Sequence, residues 1–166
     1  YSQEAEVKFR FEHVTNIKGY RIMFGAGYQL GIYENIFNQD VLFPDTTISI
    51  NRTSNLYVNK FAVFGQVSKS LFKDKVLIVG GLRTDFSDYN STMLNPLEQI
   101  SPSLAVSYKF LENWKVNAVG AWYHQLPSYT ILGYKDQNNE FANKENNIGY
   151  IDVAHAVLGF EYTTPW

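Results

Sequence analysis

The chain has 166 residues, with 14 Lys and Arg against 16 Asp and Glu, a formal net charge of −2. That near-balance argues against the basic stripe of a nucleic-acid binder, and 45% apolar content excludes general disorder. The absence of cysteine excludes disulfides and thiolate metal sites, and no apolar run approaches the ~20 residues of a membrane-spanning helix.

Alternation with period two dominates the chain in sequence order. In Glu4 to His13, Ala5, Val7, Phe9 and Phe11 oppose Glu6, Lys8, Arg10 and Glu12. Tyr20 to Ile32 repeats the pattern, with Ile22, Phe24, Ala26, Tyr28 and Leu30 against Arg21, Gly25, Gly27, Gln29 and Gly31. Strands follow over Tyr57 to Leu71 and Val76 to Phe86, the latter weakened by apolar Leu77 and Val79 on its second face. Ile100 to Phe110 is the cleanest: Leu104, Val106 and Tyr108 alternate with Ser103, Ala105 and Ser107. Trp114 to Gln125 and Val153 to Tyr162 complete seven strands, and no capped segment carries a helical stripe. The expected fold is all-β, an antiparallel meander of about seven strands.

The connections alternate in length. Thr15 to Lys18, Phe72 to Lys75 and Leu111 to Asn113 are short, whereas Tyr33 to Leu56, Ser87 to Gln99 and Leu126 to Tyr150 are long and polar. In a meander, this places every short turn at one end and every long loop at the other. Such sorting belongs to transmembrane β-barrels, whose periplasmic turns are short and extracellular loops long. Aromatics gather towards strand ends: Tyr20, Tyr108, Phe110, Trp114 and Tyr162 near the short turns, Phe86 and Trp122 near the long loops. Interfacial Tyr and Trp set an apolar ring and a polar tip across the headgroup region of outer-membrane lipid. Ala26, Gly65, Gly80 and Ala118 lie between them.

Several stretches are similar to the barrel wall of TonB-dependent outer-membrane receptors of the Bacteroidetes type. They are Ile100 to Phe110 with Asn113 and Trp114, the run Trp122-Tyr-His-Gln-Leu-Pro127, the strand His155 to Tyr162, and an earlier hairpin around Phe61 to Gln66 and Gly81 to Arg83. Ser103 stands where such receptors often carry Arg. The resemblance implies a segment, about a third, of a barrel of about 22 strands. It implies partners too: a plug domain, the remaining barrel strands, and the TonB complex reached through an N-terminal region. Tyr1 opens the chain with no basic start or apolar h-region. Thr163 to Pro165 resembles a periplasmic turn, which makes Trp166 an arbitrary end.

No constellation of residues reads as catalytic. His13, His124 and His155 are far apart and lack partners at zinc-like spacing. Gly25, Gly27 and Gly31 fall at strand period and read as relief of crowding on a lumen face. Asp136 to Asn147 lacks the ligand order of a calcium loop, and no cofactor is expected. The sequons at Asn51 and Asn90 read as chance matches. Arg83 and Asp85 share one face, and with Gln125 they are candidate lumen contacts; Tyr129 and Tyr134 are candidates for touching a ligand from the last long loop. The expected function is therefore part of an energy-coupled nutrient receptor importing a siderophore, cobalamin or glycan. The competing expectation is a small closed β-barrel that binds an apolar ligand.

Overall fold

The computed structural model describes residues 1–44 and 46–164. Pro165 and Trp166, the end of the turn and the terminal residue discussed above, lie outside the described residues.

Seven strands form one sheet in the order β1-β2-β3-β4-β5-β6-β7, every neighbour antiparallel. They are β1 (Ser2–Ile17), β2 (Tyr20–Phe43), β3 (Thr46–Leu71), β4 (Val76–Ser87), β5 (Ile100–Leu111), β6 (Trp114–Gln125) and β7 (Ile151–Tyr162). β1 and β7 do not pair with each other, so the described residues make an open sheet and not a small closed barrel. The register keeps faces continuous across strands. One face carries the row Phe9, Tyr28, Phe61, Phe86, and the opposite face carries Arg10, Gly27, Ala62, Asp85.

The short turns are tight. Ile17 pairs with Tyr20, leaving Lys18 and Gly19 at φ 49° and 78°. Two successive positive φ values define the two-residue turn whose twist matches that of the flanking strands. Leu71 pairs with Val76, and Leu111 with Trp114 beside an irregularity at Lys109.

The segment from Tyr33 to Leu56 corrects the sequence reading. It is no loop: β2 and β3 stay paired out to Phe43↔Thr46, beyond the last pair of β1 at Asn35 and of β4 at Lys60. Apolar alternation fades towards the tip of this arm, where residues of both parities are exposed, as over Ile36 to Asp40. The other two long connections hold three single-turn helices, α1 (Ser91–Leu94), α2 (Tyr129–Leu132) and α3 (Ala142–Glu145). These are too short to carry an amphipathic stripe.

The sheet curls. Tyr129, from the β6–β7 connection, hydrogen-bonds Glu6 of β1 across the intervening strands. The charged face is therefore concave. The convex face leaves large apolar side chains uncovered, Phe160 at 71% and Leu158 at 66% exposure. It carries two aromatic groups. One is the row Phe9–Tyr28–Phe61–Phe86, with ring centroids 6.4, 5.4 and 5.3 Å apart, the outer two pairs stacked and the middle one tilted. The other is Tyr108, Phe110, Trp114 and Tyr162 beside the short turns, the last two 4.9 Å apart. On β2, Tyr20 and Tyr28 mark the two levels; their separation along the strand is about 27 Å at ~3.4 Å per residue.

Gly19 has open space around the position of a Cβ, so substitution there tests backbone strain alone. Gly19→Val is expected to lower stability by about 1–2 kcal/mol, with Gly19→Asn recovering most of it, because Asn tolerates the left-handed region. The midpoint of denaturant unfolding of the detergent-solubilised receptor measures both.

Candidate functional site

The two folded connections and the inner side of the β2–β3 arm build a small core. Tyr33, Leu56 and Val58 come from the strands, Tyr89 and Met93 from residues 88–99, and Tyr129 and Leu132 from residues 126–150; all are buried. Polar ties hold the pieces together. Tyr89 Oη donates to the Leu132 carbonyl at 2.7 Å, and Ser54 Oγ to the Gly133 carbonyl at 2.6 Å. Asn90 caps α1 by accepting from the Met93 amide at 2.8 Å and donates through Nδ2 to the Ile148 carbonyl at 2.8 Å. That side chain thus ties the start of α1 to the second connection.

Tyr129 reaches from the second connection to the inner side of the wall. Its side chain is buried on the concave wall, where it anchors the strap. The phenol lies directly over Gly31, where a Cβ would collide with its ring and hydroxyl. The hydroxyl donates to Glu6 Oε1 at 2.8 Å and accepts from Lys60 Nζ at 2.6 Å. Lys60 also sits 5.0 Å from the ring centroid and 3.1 Å from Glu6. Residues 126–150 therefore form a strap folded across the concave face. Gly31 performs the crowding relief expected of it, as does Gly25, whose Cβ would strike Phe64 at 2.5 Å; Gly27 has ordinary space.

Beneath the strap, a cavity of about 560 Å³ opens on the concave face, and Arg83, Asp85 and Gln125 all line it. Arg83 donates twice to Asp85, Nε and Nη2 each at 2.6 Å. Arg10, Lys8 and Lys60 share this cavity and were not singled out from the sequence, although their alternation with apolar residues was its signal. Tyr134 lies elsewhere. It is half-exposed beside Arg52 of the arm, whose guanidinium carbon is 5.6 Å from its ring centroid. A second cleft of about 680 Å³ separates that arm from Asp136, Gln137 and Asn139.

One cluster contradicts the reading of the histidines as isolated. Ser101 Oγ is 3.1 Å from His124 Nδ1, and His124 Nε2 is 3.1 Å from Asp152 Oδ1. Strand pairing assembles it: Asp152 is the register partner of His124 on β7, and Ser101 lies on the neighbouring β5. The burial is opposite to what a nucleophile needs. Ser101 is 6% exposed, whereas the Asp152 side chain is 63% exposed. The cluster clasps the base of the strap. Among the described residues, no group of three metal-ligating side chains converges.

A curled antiparallel wall with sorted connections, an uncovered apolar convex face and a charged concave face defines a segment of an outer-membrane-type barrel. The family model described as "TonB dependent receptor-like, beta-barrel" matches residues 1–153, and the chain belongs to that family, one of outer-membrane receptors and transporters. No curated protein and no solved structure matches the chain.

The strap yields a test on either side of its anchor. Tyr129→Phe removes two hydrogen bonds to charged groups and is expected to loosen the strap by about 1.5–3 kcal/mol. Gly31→Ala should expel it outright, raising the rate of tryptic cleavage at Lys135 and Lys144. Alkali should do the same by titration. Burial pushes the Tyr89 phenol up to about 12, and burial together with Glu6 raises Tyr129 well above the ordinary range. A raised phenol favours the folded cap below its ordinary value of about 10, and that stability is lost as pH climbs through the folded value. Proteolysis of the strap should accelerate from about pH 10 upwards.

Proposed function

We propose that this chain forms part of the barrel wall of an energy-coupled nutrient receptor, with its convex face in lipid and its concave face lining the lumen. The observation that carries this reading is the distribution of side chains between the two faces. Among the described residues, the four ion-paired cations of β1, β3 and β4 stand on the concave face, while Phe24, Leu82, Leu104, Leu158 and Phe160 stand uncovered on the convex one. In water such a surface would aggregate; in a bilayer it is the solvated side. The two aromatic levels support the same reading. Their separation of about 27 Å along a strand becomes about 20 Å at a tilt of ~40°, the scale of the apolar band of such barrels. Lys69 Nζ lies 3.9 Å from the Tyr20 ring centroid at the short-turn level, as a basic side chain reaching for the headgroups would.

In this reading the short turns lie in the periplasm, and the arm and the two folded connections lie outside the cell. The plug, the remaining strands and the TonB complex belong to the parts of the receptor that complete it. The wall supplies a scaffold and an exterior cap. Transport of a large scarce nutrient (a siderophore, cobalamin or glycan) requires the plug and the energy supplied through TonB.

Leu104 and Ser103 test the assignment of faces within one strand. Leu104 is 54% exposed on the convex face, and Ser103 Oγ lies 3.5 Å from the Gly81 carbonyl on the concave one. An Arg facing lipid near the midplane costs roughly 2–4 kcal/mol, so Leu104→Arg is expected to impair assembly of the full receptor and Ser103→Arg to be tolerated. Spin labels separate lipid from protein core. A label at position 104 or 106 should collide with oxygen dissolved in lipid and be shielded from a polar relaxation agent. Shielding from both agents would mean that the apolar face is covered by protein and would overturn the reading.

A further inference from the structure

The cavity beneath the strap is built asymmetrically in charge and size. Its floor is the middle of the row Arg10–Gly27–Ala62–Asp85, where two small residues leave a hollow between charged walls. The next row towards the strap is Lys8–Gln29–Lys60. Lys8, Arg10, Lys60 and Arg83 line the cavity together with a single carboxylate, Asp85.

The ion pairs do not fully answer these cations. Lys8 and Lys60 share one carboxylate, Glu6, at 2.6 and 3.1 Å. Arg83 is matched by Asp85 and Arg10 by Glu12. Four cations thus meet three carboxylates in these pairs; Glu4 stands a row further out, opposite Tyr33, and Asp152 pairs with His124. Arg10 is also poised. Its Nε and Nη2 both bond one oxygen, Glu12 Oε2, at 3.1 and 2.7 Å, and its guanidinium is held 4.5 Å from the Phe64 ring centroid. This leaves Nη1 with no bond among the described residues. Phe64, Tyr123 and Tyr150 supply flat apolar surface around the hollow.

We propose that this hollow is a binding site for an anionic small molecule, one that carries carboxylate or phosphate groups on a compact organic body. The volume of about 560 Å³ falls within the range of small-molecule sites. A ligand acid seated over Gly27 and Ala62 takes the open Nη1 of Arg10 and supplies the counter-charge that Lys8 and Lys60 now divide. The planar guanidinium suits a carboxylate or phosphate oxygen pair, and low-dielectric walls focus the positive potential on the hollow. This inference rests on the concave face lining the lumen, and it narrows the class of cargo to anions.

The chain has no cysteine, so a single Ala62→Cys reports on the hollow when placed in the full receptor, plug included, with any other cysteine removed. The probes are an anionic and a cationic methanethiosulfonate, with citrate as protectant and its neutral trimethyl ester as control, all at fixed ionic strength. Rates are normalised to Asn138→Cys on the exposed strap tip. The expected result is a preference for the anionic reagent of about tenfold or more, the lower end of electrostatic focusing in charged clefts. Citrate should slow labelling several-fold, the ester should not, and Arg10→Gln should abolish the protection. Labelling without anion preference, or without protection by citrate, overturns the anion site while leaving the lumen assignment in place. Labelling that appears only when the plug is deleted also overturns it, since the plug then occupies the hollow. Reaction with a lipid-soluble maleimide alone would instead overturn the orientation of the wall itself.

Discussion

In hydrocarbon, a backbone amide finds no water to bond, so a strand can cross only when both of its neighbours answer every N–H and C=O. The antiparallel ladder meets this demand locally: six consecutive pairings, each joined through its own connection, with no crossover. The other features of the molecule follow from that ladder. Because pairing fixes register, each residue is committed to one of two faces. Because the sheet twists and curls, one face closes on itself and the other opens outwards. Charges placed on the closing face meet one another across strands, as Glu6 meets Lys60. Aromatic rings on the opening face pack into a row.

The two faces obey different rules, and this explains which parts of the molecule could be read from residues alone. Where one face meets an apolar medium and the other a polar one, alternation is enforced. Trp114 to Gln125 and the start of the strand at Tyr20 were legible to the residue. From Ile36 to Asp40 the β2–β3 arm is exposed on both faces, and Asn38 and Asn51 carry no periodic signal. What holds the arm is pairing, which leaves no mark on hydropathy. The one-turn helices were illegible for a related reason, since four residues cannot present a stripe.

The site was legible in part. Arg83, Asp85 and Gln125 do line one cavity, because sharing a face and a level is a matter of strand parity. The inward folding of Tyr129 could not be read, since it depends on a hollow that Gly31 provides nearly a hundred residues away in sequence. The Ser101–His124–Asp152 clasp was missed for the same reason. Its members lie on three strands, and only the register of two hairpins brings them within hydrogen-bond distance.

The bond between Tyr129 and Glu6 spans 123 residues, in a sheet whose strand pairings are all made by neighbours in sequence. Local hairpins form quickly, while a contact of that span must wait for the intervening chain to be ordered. The strap can therefore seat only after the wall between β1 and β6 has reached its final curvature. A slip of one residue in β1 would turn Glu6 to the other face and leave Tyr129 without its acceptor. The strap thus acts as a proofreader of assembly, recording in one phenol whether the strands behind it were laid down in register.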